Sequence, residues 1–481
     1  MLDFADLSPG RSAVLDVAIP LVVLALIAVM VRGVARVLFL AQVVYWGLSY
    51  VGRPLLLLAV TPKPSFGDNI ADPRLARIGY DYGIAHVLEP IHLCVWVYTA
   101  LAAAFLVCQR LSPPVPDPLP RQTPVTIATL VTMSAAGFSA RVAMYLTGAM
   151  SKAGEVTSSN PYLSTVAALG SLGALGVILF FRNEKLWLEL AVIGFFIGTE
   201  LLWGIASESK SPFMGAMLAL AVRYLSTGVS RAKLVAIVAG AIVVAGLFGW
   251  LQSLKSSQRA THMANEASLT YNLSYPEEVR SYLPIFRRFD LLEAATDLYY
   301  YGDQRPRMGV GDIAQNALLD LVPAQLGATK VQSGVSWAQD VRGASVNMRG
   351  ISVSLAEGHL SEGYLAGGLG GVALESLFVI GMIGTTARCL RSRKIVLLVA
   401  LGVTNVALPS LFERGMLGIA ETVGKALEQG LIAGSFATAI WLFAHLRARA
   451  RGKPIPIPEP VHQTYRESAM NRKELTCTST T

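Results

Sequence analysis

The strongest constraint on this sequence is a series of long, nearly uninterrupted apolar runs. They fall at residues 13–31, 37–60, 83–109, 125–148, 162–181, 186–207, 212–228, 234–251, 364–386, 395–411 and 427–446. A helix needs about 20 apolar residues to cross a hydrocarbon core of ~30 Å, at about 1.5 Å per residue. Every run reaches that length or comes near it, with 212–228 and 395–411 the shortest. In lipid each backbone N–H and C=O must be satisfied within the protein, which leaves only helices or a closed barrel. The runs are continuous and do not alternate, which argues against a barrel. Only 15% of the residues are charged and 53% are hydrophobic, whereas a soluble domain is about a quarter charged. The sequence therefore predicts an all-α polytopic membrane protein with about eleven transmembrane helices.

The junctions between runs carry an orientation signal. Arg32 and Arg36 lie between the first and second runs, and Arg110 and Arg121 between the third and fourth. Arg182 and Lys185 follow the fifth, and Arg231 and Lys233 follow the seventh. Arg388, Arg391, Arg393 and Lys394 follow the ninth, and Arg447, Arg449, Arg451 and Lys453 the eleventh. Every second junction is basic, and short basic loops stay in the cytoplasm. The expected location is the cytoplasmic (inner) membrane, with the N-terminus outside and the C-terminus in the cytoplasm. The net charge of +8 comes mostly from these loops and the tail. No nucleic-acid motif accompanies it, so no nucleic-acid partner is expected.

Four parts follow. Residues 1–251 hold spans one to eight, and 252–363 form one large extracytoplasmic loop of short helices. Residues 364–446 hold spans nine to eleven, and 447–481 form a cytoplasmic tail expected to be disordered. The proline-rich segment 111–124 reads as an extended linker. Within the loop, Leu291, Leu292, Ala295 and Leu298 recur at helical spacing across Phe289–Tyr301. Asp312 is placed to cap a second helix ending near Pro323. Gly343–Gly350, rich in Gly, Ser and Asn, reads as a mobile stretch. The four cysteines suggest neither a metal site nor a disulfide framework. The first residues lack a basic n-region, so no cleaved signal peptide is expected.

Charges interrupt the spans. A charged side chain at mid-bilayer costs about 2.5–3.5 kcal/mol on the most lenient scale. Arg53, His86, Glu89, His92, Arg141, Glu200 and Glu208 nevertheless lie within spans or at their ends. Most fall in the half nearer the loop. Snorkelling or structural ion pairing is one account. The other is a polar cavity open to the outside, with Arg53, His86, Glu89 and Glu200 in it. A path across the whole membrane needs charges in the other half too, where Glu189 is the one candidate. The loop adds Arg280, Arg287, Arg288, Arg305, Arg307, Arg342 and Arg349, and the last outer segment adds Arg414. These form either a solvated face toward lipid headgroups or a site for a diphosphate, whose paired oxygens suit guanidinium forks.

Four segments resemble the oligosaccharide repeat unit polymerases, the Wzy-type O-antigen and capsule polymerases of bacteria. Ser207-Glu208-Ser209-Lys210-Ser211-Pro212 is similar to that family's Gly-Ser-Arg-Gly-Pro turn. Arg287-Arg288-Phe289-Asp290 resembles its Arg-Phe-Asp segment, and Gly311-Asp312 to Pro323 the helix that follows. Ser361-Glu362-Gly363-Tyr364-Leu365-Ala366-Gly367-Gly368-Leu369-Gly370-Gly371 resembles its Gly-Glu-x-Tyr-Leu-Asn-Phe-Gly-x-x-Gly run. The likeness covers residues 200–385. Lys210 stands where Arg is usual, and Ala366 and Gly367 where Asn and Phe are. The resemblance implies a membrane glycosyltransferase acting outside the cytoplasmic membrane. A glycan on undecaprenyl diphosphate is the donor, and a second lipid-linked repeat unit the acceptor. Membrane lipids, a chain-length regulator and a flippase are its implied partners, with no cofactor. An O-antigen ligase type transferase is an alternative, and a flippase or transporter of lipid-linked glycans is another from a different class.

That reaction needs negative charge stabilised on a departing diphosphate, by a metal or by fixed cations. The outer segments contain no Asp-x-Asp pair and no His/Asp/Glu cluster at ligand spacing. Fixed cations are therefore expected, with Arg141, Lys210, Arg287, Arg288, Arg349 and Arg414 as candidates and no metal. Acceptor activation needs a base, with Glu357, His359, Glu362 and Asp290 as candidates. If the turn before span nine is helical, Glu357 shares a face with Ser361, and His359 with Glu362. Glu362 could instead stabilise a helix N-terminus. The glycines at 363, 367, 368, 370 and 371 read as close helix packing in lipid.

Overall fold

The computed structural model describes residues 7–64, 70–113, 119–149, 161–207, 209, 211–228, 230, 233, 274–280, 282–286, 289–301, 309–320, 322, 331–347, 355–407 and 410–450. Among the described residues every regular element is helical. Among the described residues eight helices are long and apolar enough to cross a membrane, and the chain is a multi-pass, all-α membrane protein. These eight coincide with eight of the expected runs. Ser211–Leu225 and Ile395–Ala407 are shorter apolar helices in the places of the two shortest runs. The run at 234–251 lies outside the described residues.

The first helix, α1, spans Pro9–Met30. Gly33, at φ 69°, turns the chain into α2, Val34–Gly47. A π-helical turn, Leu48–Gly52, joins α2 to α3, Arg53–Val60, and buries Ser49, Tyr50 and Arg53. The short α4, Pro73–Ile78, is capped by Asp72, whose side chain accepts from the Arg74 N–H. Then come α5 (Tyr80–Leu111), α6 (Pro124–Leu146), α7 (Pro161–Phe180), α8 (Leu186–Ala206) and α9 (Ser211–Leu225). The start of α1 meets the start of α5, where the Gly10 N–H donates to Asp81 Oδ1 at 3.0 Å. At the other end the Arg32 N–H donates to Gln109 Oε1 at 2.6 Å, and Arg110 to the Met30 carbonyl at 3.1 Å. Junctions that share a basic character thus pack at one end of the bundle.

Small residues set the closest crossing. A Cβ on Gly137 would overlap the Gly170 backbone, and one on Gly173 the Leu130 carbonyl. The α6 and α7 backbones can therefore touch, as small-residue interfaces in lipid allow. The hydrophobic window of α7 is 67% buried, and that of the last helix only 11%. The first is therefore the interior of the bundle and the second its rim.

The described part of the loop is a set of short helices. They are α10 (Glu277–Arg280), α11 (Leu283–Phe286), α12 (Leu291–Tyr301), α13 (Val310–Asp320), α14 (Ser333–Ser336) and, after a π turn at Trp337–Arg342, α15 (Gly343–Val346). The Asp312 carboxylate receives the Gly309 N–H at the head of α13, at 3.1 Å; Pro323 lies outside the described residues. The expectation of a mobile stretch from Gly343 is corrected for its first half. Residues 343–346 continue a helix, and Asn347 ends it in the left-handed region at φ 56°. Arg342 and Ser345 anchor that turn through their side chains, an influence that glycine content does not report.

The ninth span is broken. Helix α16 runs His359–Cys389, but Gly367 and Gly368 leave helical geometry, Gly368 at φ 57° and ψ −145°. The short segment before the break folds back on the longer one. A Cβ on Gly363 would stand 2.9 Å from the Gly371 carbonyl and the Val372 backbone. These glycines therefore pack α16 against itself, where packing between separate helices was expected. The chain closes with α17 (Ile395–Leu397), a π turn (Leu398–Val403), α18 (Thr404–Ala407), α19 (Ser410–Glu413) and α20 (Met416–Ala450).

Candidate functional site

The site lies where the loop helices meet the heads of α16 and α20. Gly358, at φ 62°, is the N-cap of α16, so Glu357 precedes the helix and Glu362 sits in its first turn. Their carboxyls reach the Arg414–Gly418 segment at the head of α20. A Cβ on Gly415 would overlap the Glu362 carboxyl, and one on Gly418 would stand 2.9 Å from Glu357 Oε1. Glycine at both positions makes the cradle. The Ser333 hydroxyl of α14 donates to Glu357 Oε1, and the Gly415 N–H also donates to that carboxylate. Glu375, two turns beyond the break in α16, accepts the Met416 N–H at 3.2 Å and lies beside the Glu362 carboxyl. Orphan N–H groups at the head of α20 thus meet carboxyl oxygens, the kind of acceptor helix N-termini favour.

Among the described residues, Arg414 is the cation that stands against this cluster. Arg414 acts on the Glu357 charge and pairs with Glu421 at 3.7 Å, with about a third of its side chain exposed (32%). Lys425 takes the other Glu421 oxygen at 2.7 Å. Burial pushes the Glu357 carboxyl above its ordinary 4.5, against the opposing pull of Arg414, Ser333 and the Gly415 N–H. A buried carboxylate of this kind binds a proton more tightly than one in water.

Next to the carboxylates lies a buried cluster of aromatic and polar side chains. His359 is 1% exposed and packs against both the Trp46 and Tyr98 rings, at 5.2 and 5.4 Å. Neither of its ring nitrogens has a partner among the described residues. Tyr98 donates to Gln42 at 2.5 Å, Trp46 to the Phe412 carbonyl at 3.3 Å, and Tyr45 to Glu413 at 3.1 Å. The Tyr50 hydroxyl faces Ser361, within reach of the Asp290 charge. Asp290 stands just before α12, whose first turn it closes through a bond from the Glu293 N–H to its carbonyl at 2.8 Å.

A second polar group fastens the loop to the bundle. Arg53 bonds Glu293 at 2.7 Å and the Ile70 and Phe289 carbonyls at 3.3 Å. Arg342 reaches Glu293 at 3.1 Å and Asp297 at 3.0 Å, Arg74 reaches Asp297 and Asp72 at 2.7 Å, and Trp337 donates to Asp297 at 3.0 Å. Three arginines face three carboxylates. Burial opposes ionisation of Asp72, but the Arg74 hydrogen bonds and charge outweigh it and hold its pKa below 3.8. Burial likewise opposes the Arg342 charge, and Asp297 and Glu293 more than compensate, raising its pKa.

The remaining expected residues are spread. Arg141 is buried against Glu200 at 2.7 Å, bonds the Ala167 carbonyl and Ser171, and lies over Trp203 at 4.8 Å. His86 stacks on Tyr82 at 4.0 Å on the outer face of α5, and Glu89 is exposed there. Lys210, Arg287, Arg288 and Arg349 lie outside the described residues. The structure thus brings Glu357, Glu362, His359, Asp290 and Arg414 into one region, and Arg53, Arg141 and Glu200 into ion pairs beside it.

Sequence reasoning missed Glu375 and Arg223. Glu375 is a lone carboxylate inside an apolar run, the same signal that singled out Glu200. Arg223 bonds Glu189 and the Ile178 and Phe181 carbonyls at the basic end of the bundle. The chain matches no known protein-family profile, no curated protein and no solved structure.

Proposed function

We propose that this chain is a membrane glycosyltransferase that polymerises undecaprenyl-diphosphate-linked oligosaccharide repeat units on the outer face of the cytoplasmic membrane. The observation that carries this reading is the convergence of Glu357, Glu362 and Arg414 on the head of α20. Arg414 follows the two glutamates by about fifty residues, and together they supply the two elements the reaction needs, a base and a fixed cation. The acceptor hydroxyl oxygen bonds the anomeric carbon of the donor sugar. The bond from that carbon to phosphate breaks, and its electron pair leaves with undecaprenyl diphosphate. Glu357 takes the hydroxyl proton, since burial strengthens it as a base. Arg414 faces the diphosphate charge as it develops.

Purified enzyme in liposomes, given defined lipid-linked repeat units on one face, tests the reading. Stepwise elongation with release of undecaprenyl diphosphate is expected, lost in Glu357→Gln and in Arg288→Ala while protein level holds. EDTA should leave it intact, and a strict metal requirement overturns the fixed-cation mechanism. Loss of the gene separates a polymerase, which leaves single repeat units, from a ligase, which leaves long unattached chains.

The break in α16 and the Arg223–Glu189 pair at the far end favour one rival. Broken helices and charges toward both faces belong to transporters. In the same liposomes a transporter moves substrate across the bilayer without elongating it.

A further inference from the structure

At the opposite end of the bundle from the carboxylates, α6, α17 and α20 part around a hollow of about 500 Å³. That size falls within the roughly 300–1,000 Å³ of ligand sites. Val125, Ile395, Val396 and Ala437 form apolar walls, and Lys394 and Trp441 are exposed members of the lining. Two glycines let α20 approach the segment after α16 closely. A Cβ on Gly430 would stand 2.8 Å from Ala400, and one on Gly434 2.9 Å from Val396. Gly434 also lines the hollow, so the gap begins where that contact ends.

Charge surrounds this apolar slot on one side only. Lys394 lines it and Arg393 is the next residue, both exposed, and exposed Arg388, Arg447 and Arg449 follow at the ends of α16 and α20. No acidic residue occurs in 388–396 or 440–450. Trp441 stacks on His445 at 4.3 Å, an amphipathic pair suited to the headgroup level.

We propose that the hollow holds an acyl chain of an anionic phospholipid, with the headgroup phosphate among Lys394 and the neighbouring arginines. The apolar walls accept the chain, the Lys394 stem runs along them, and its ammonium meets the phosphate. A second copy of this chain is the weaker occupant, because a symmetric contact here would oppose two cationic rims. The proposal is independent of the glycosyl-transfer reading.

The full chain in detergent, titrated with phosphatidylglycerol or phosphatidylcholine and read by native mass spectrometry, tests it. Phosphatidylglycerol should be retained roughly tenfold more tightly, as a few juxtaposed charges provide. Lys394→Glu, a surface change, should shrink that preference to about twofold or less, and Ala437→Phe should fill the slot and reduce binding of both lipids. Equal affinity for the two lipids, or an unchanged preference in Lys394→Glu, overturns the proposal. So does a concentration-dependent dimer that shields Trp441 from a soluble quencher.

Discussion

Arg53 and Glu293 stand 240 residues apart and meet at 2.7 Å, joining the second span to the large loop. The same carboxylate receives Arg342 on its other oxygen. One side chain thus ties α3, α12 and the π turn at Trp337–Arg342 together, at the level where α16 begins. Removing Glu293 strips a partner from two arginines, one of them 1% exposed. Removing Arg53 leaves Glu293 still held by Arg342.

Glu293→Ala should therefore cost about 3–5 kcal/mol, the usual result of stranding a buried charge. Arg53→Met should cost clearly less. Thermal or denaturant unfolding of both variants in detergent measures the difference, and equal losses would contradict the shared-carboxylate arrangement.

Gly415→Ala places a methyl group on the Glu362 carboxyl. The carboxyl must move, and displacements near 1 Å in a reacting site cost about 10²-fold. Elongation should fall by about that factor while the protein still purifies folded. Unimpaired elongation would mean that Glu362 has no fixed position in the reaction.

Arg414→Ala should lower elongation by about 10²–10³-fold, as expected for a lost charge-stabilising donor. Arg414→Lys should recover part of the rate, since the charge remains but the fork is gone. The comparison is made at saturating lipid-linked substrate, so that binding differences do not mask it.

The Glu357 carboxyl is raised above 4.5 by burial. A native group with a raised pKa binds more protons than the unfolded chain, so stability falls as pH rises. Its contribution is complete below 4.5 and is lost as pH climbs through the raised native value. Melting curves across that window should show the wild type losing stability relative to Glu357→Gln. Parallel curves would place the carboxyl in a wetter setting.

Gly368 is at φ 57° and ψ −145°, a conformation that only glycine adopts easily. Gly368→Ala should cost about 1–3 kcal/mol. It should also loosen the contact between Gly363 and Gly371, seen as faster hydrogen exchange in the first turn of α16.

Much of the scaffold is legible in the sequence. Eight expected spans correspond to eight long helices, and the two shortest runs to two short ones. Phe289–Tyr301 and the segment after Asp312 are helical close to where their periodicity and cap indicate. Glu357, His359 and Glu362 stand out as polar residues entering a span. What the sequence conceals is their company. Glu375 looks like one more isolated charge until the fold-back at Gly367–Gly368 sets it beside Glu362. Arg53 looks like an open-cavity cation and Arg141 like a diphosphate-binding one until Glu293 and Glu200 pair with them.

The sequence by itself determined that this chain threads a membrane as helices, because crossing lipid depends on apolar character summed over neighbouring residues. Only the tertiary structure decided which charges are spent on holding the loop and which gather at the head of α20. Coulomb attraction and desolvation depend on separation in space, and the decisive partners here lie tens to hundreds of residues apart along the chain.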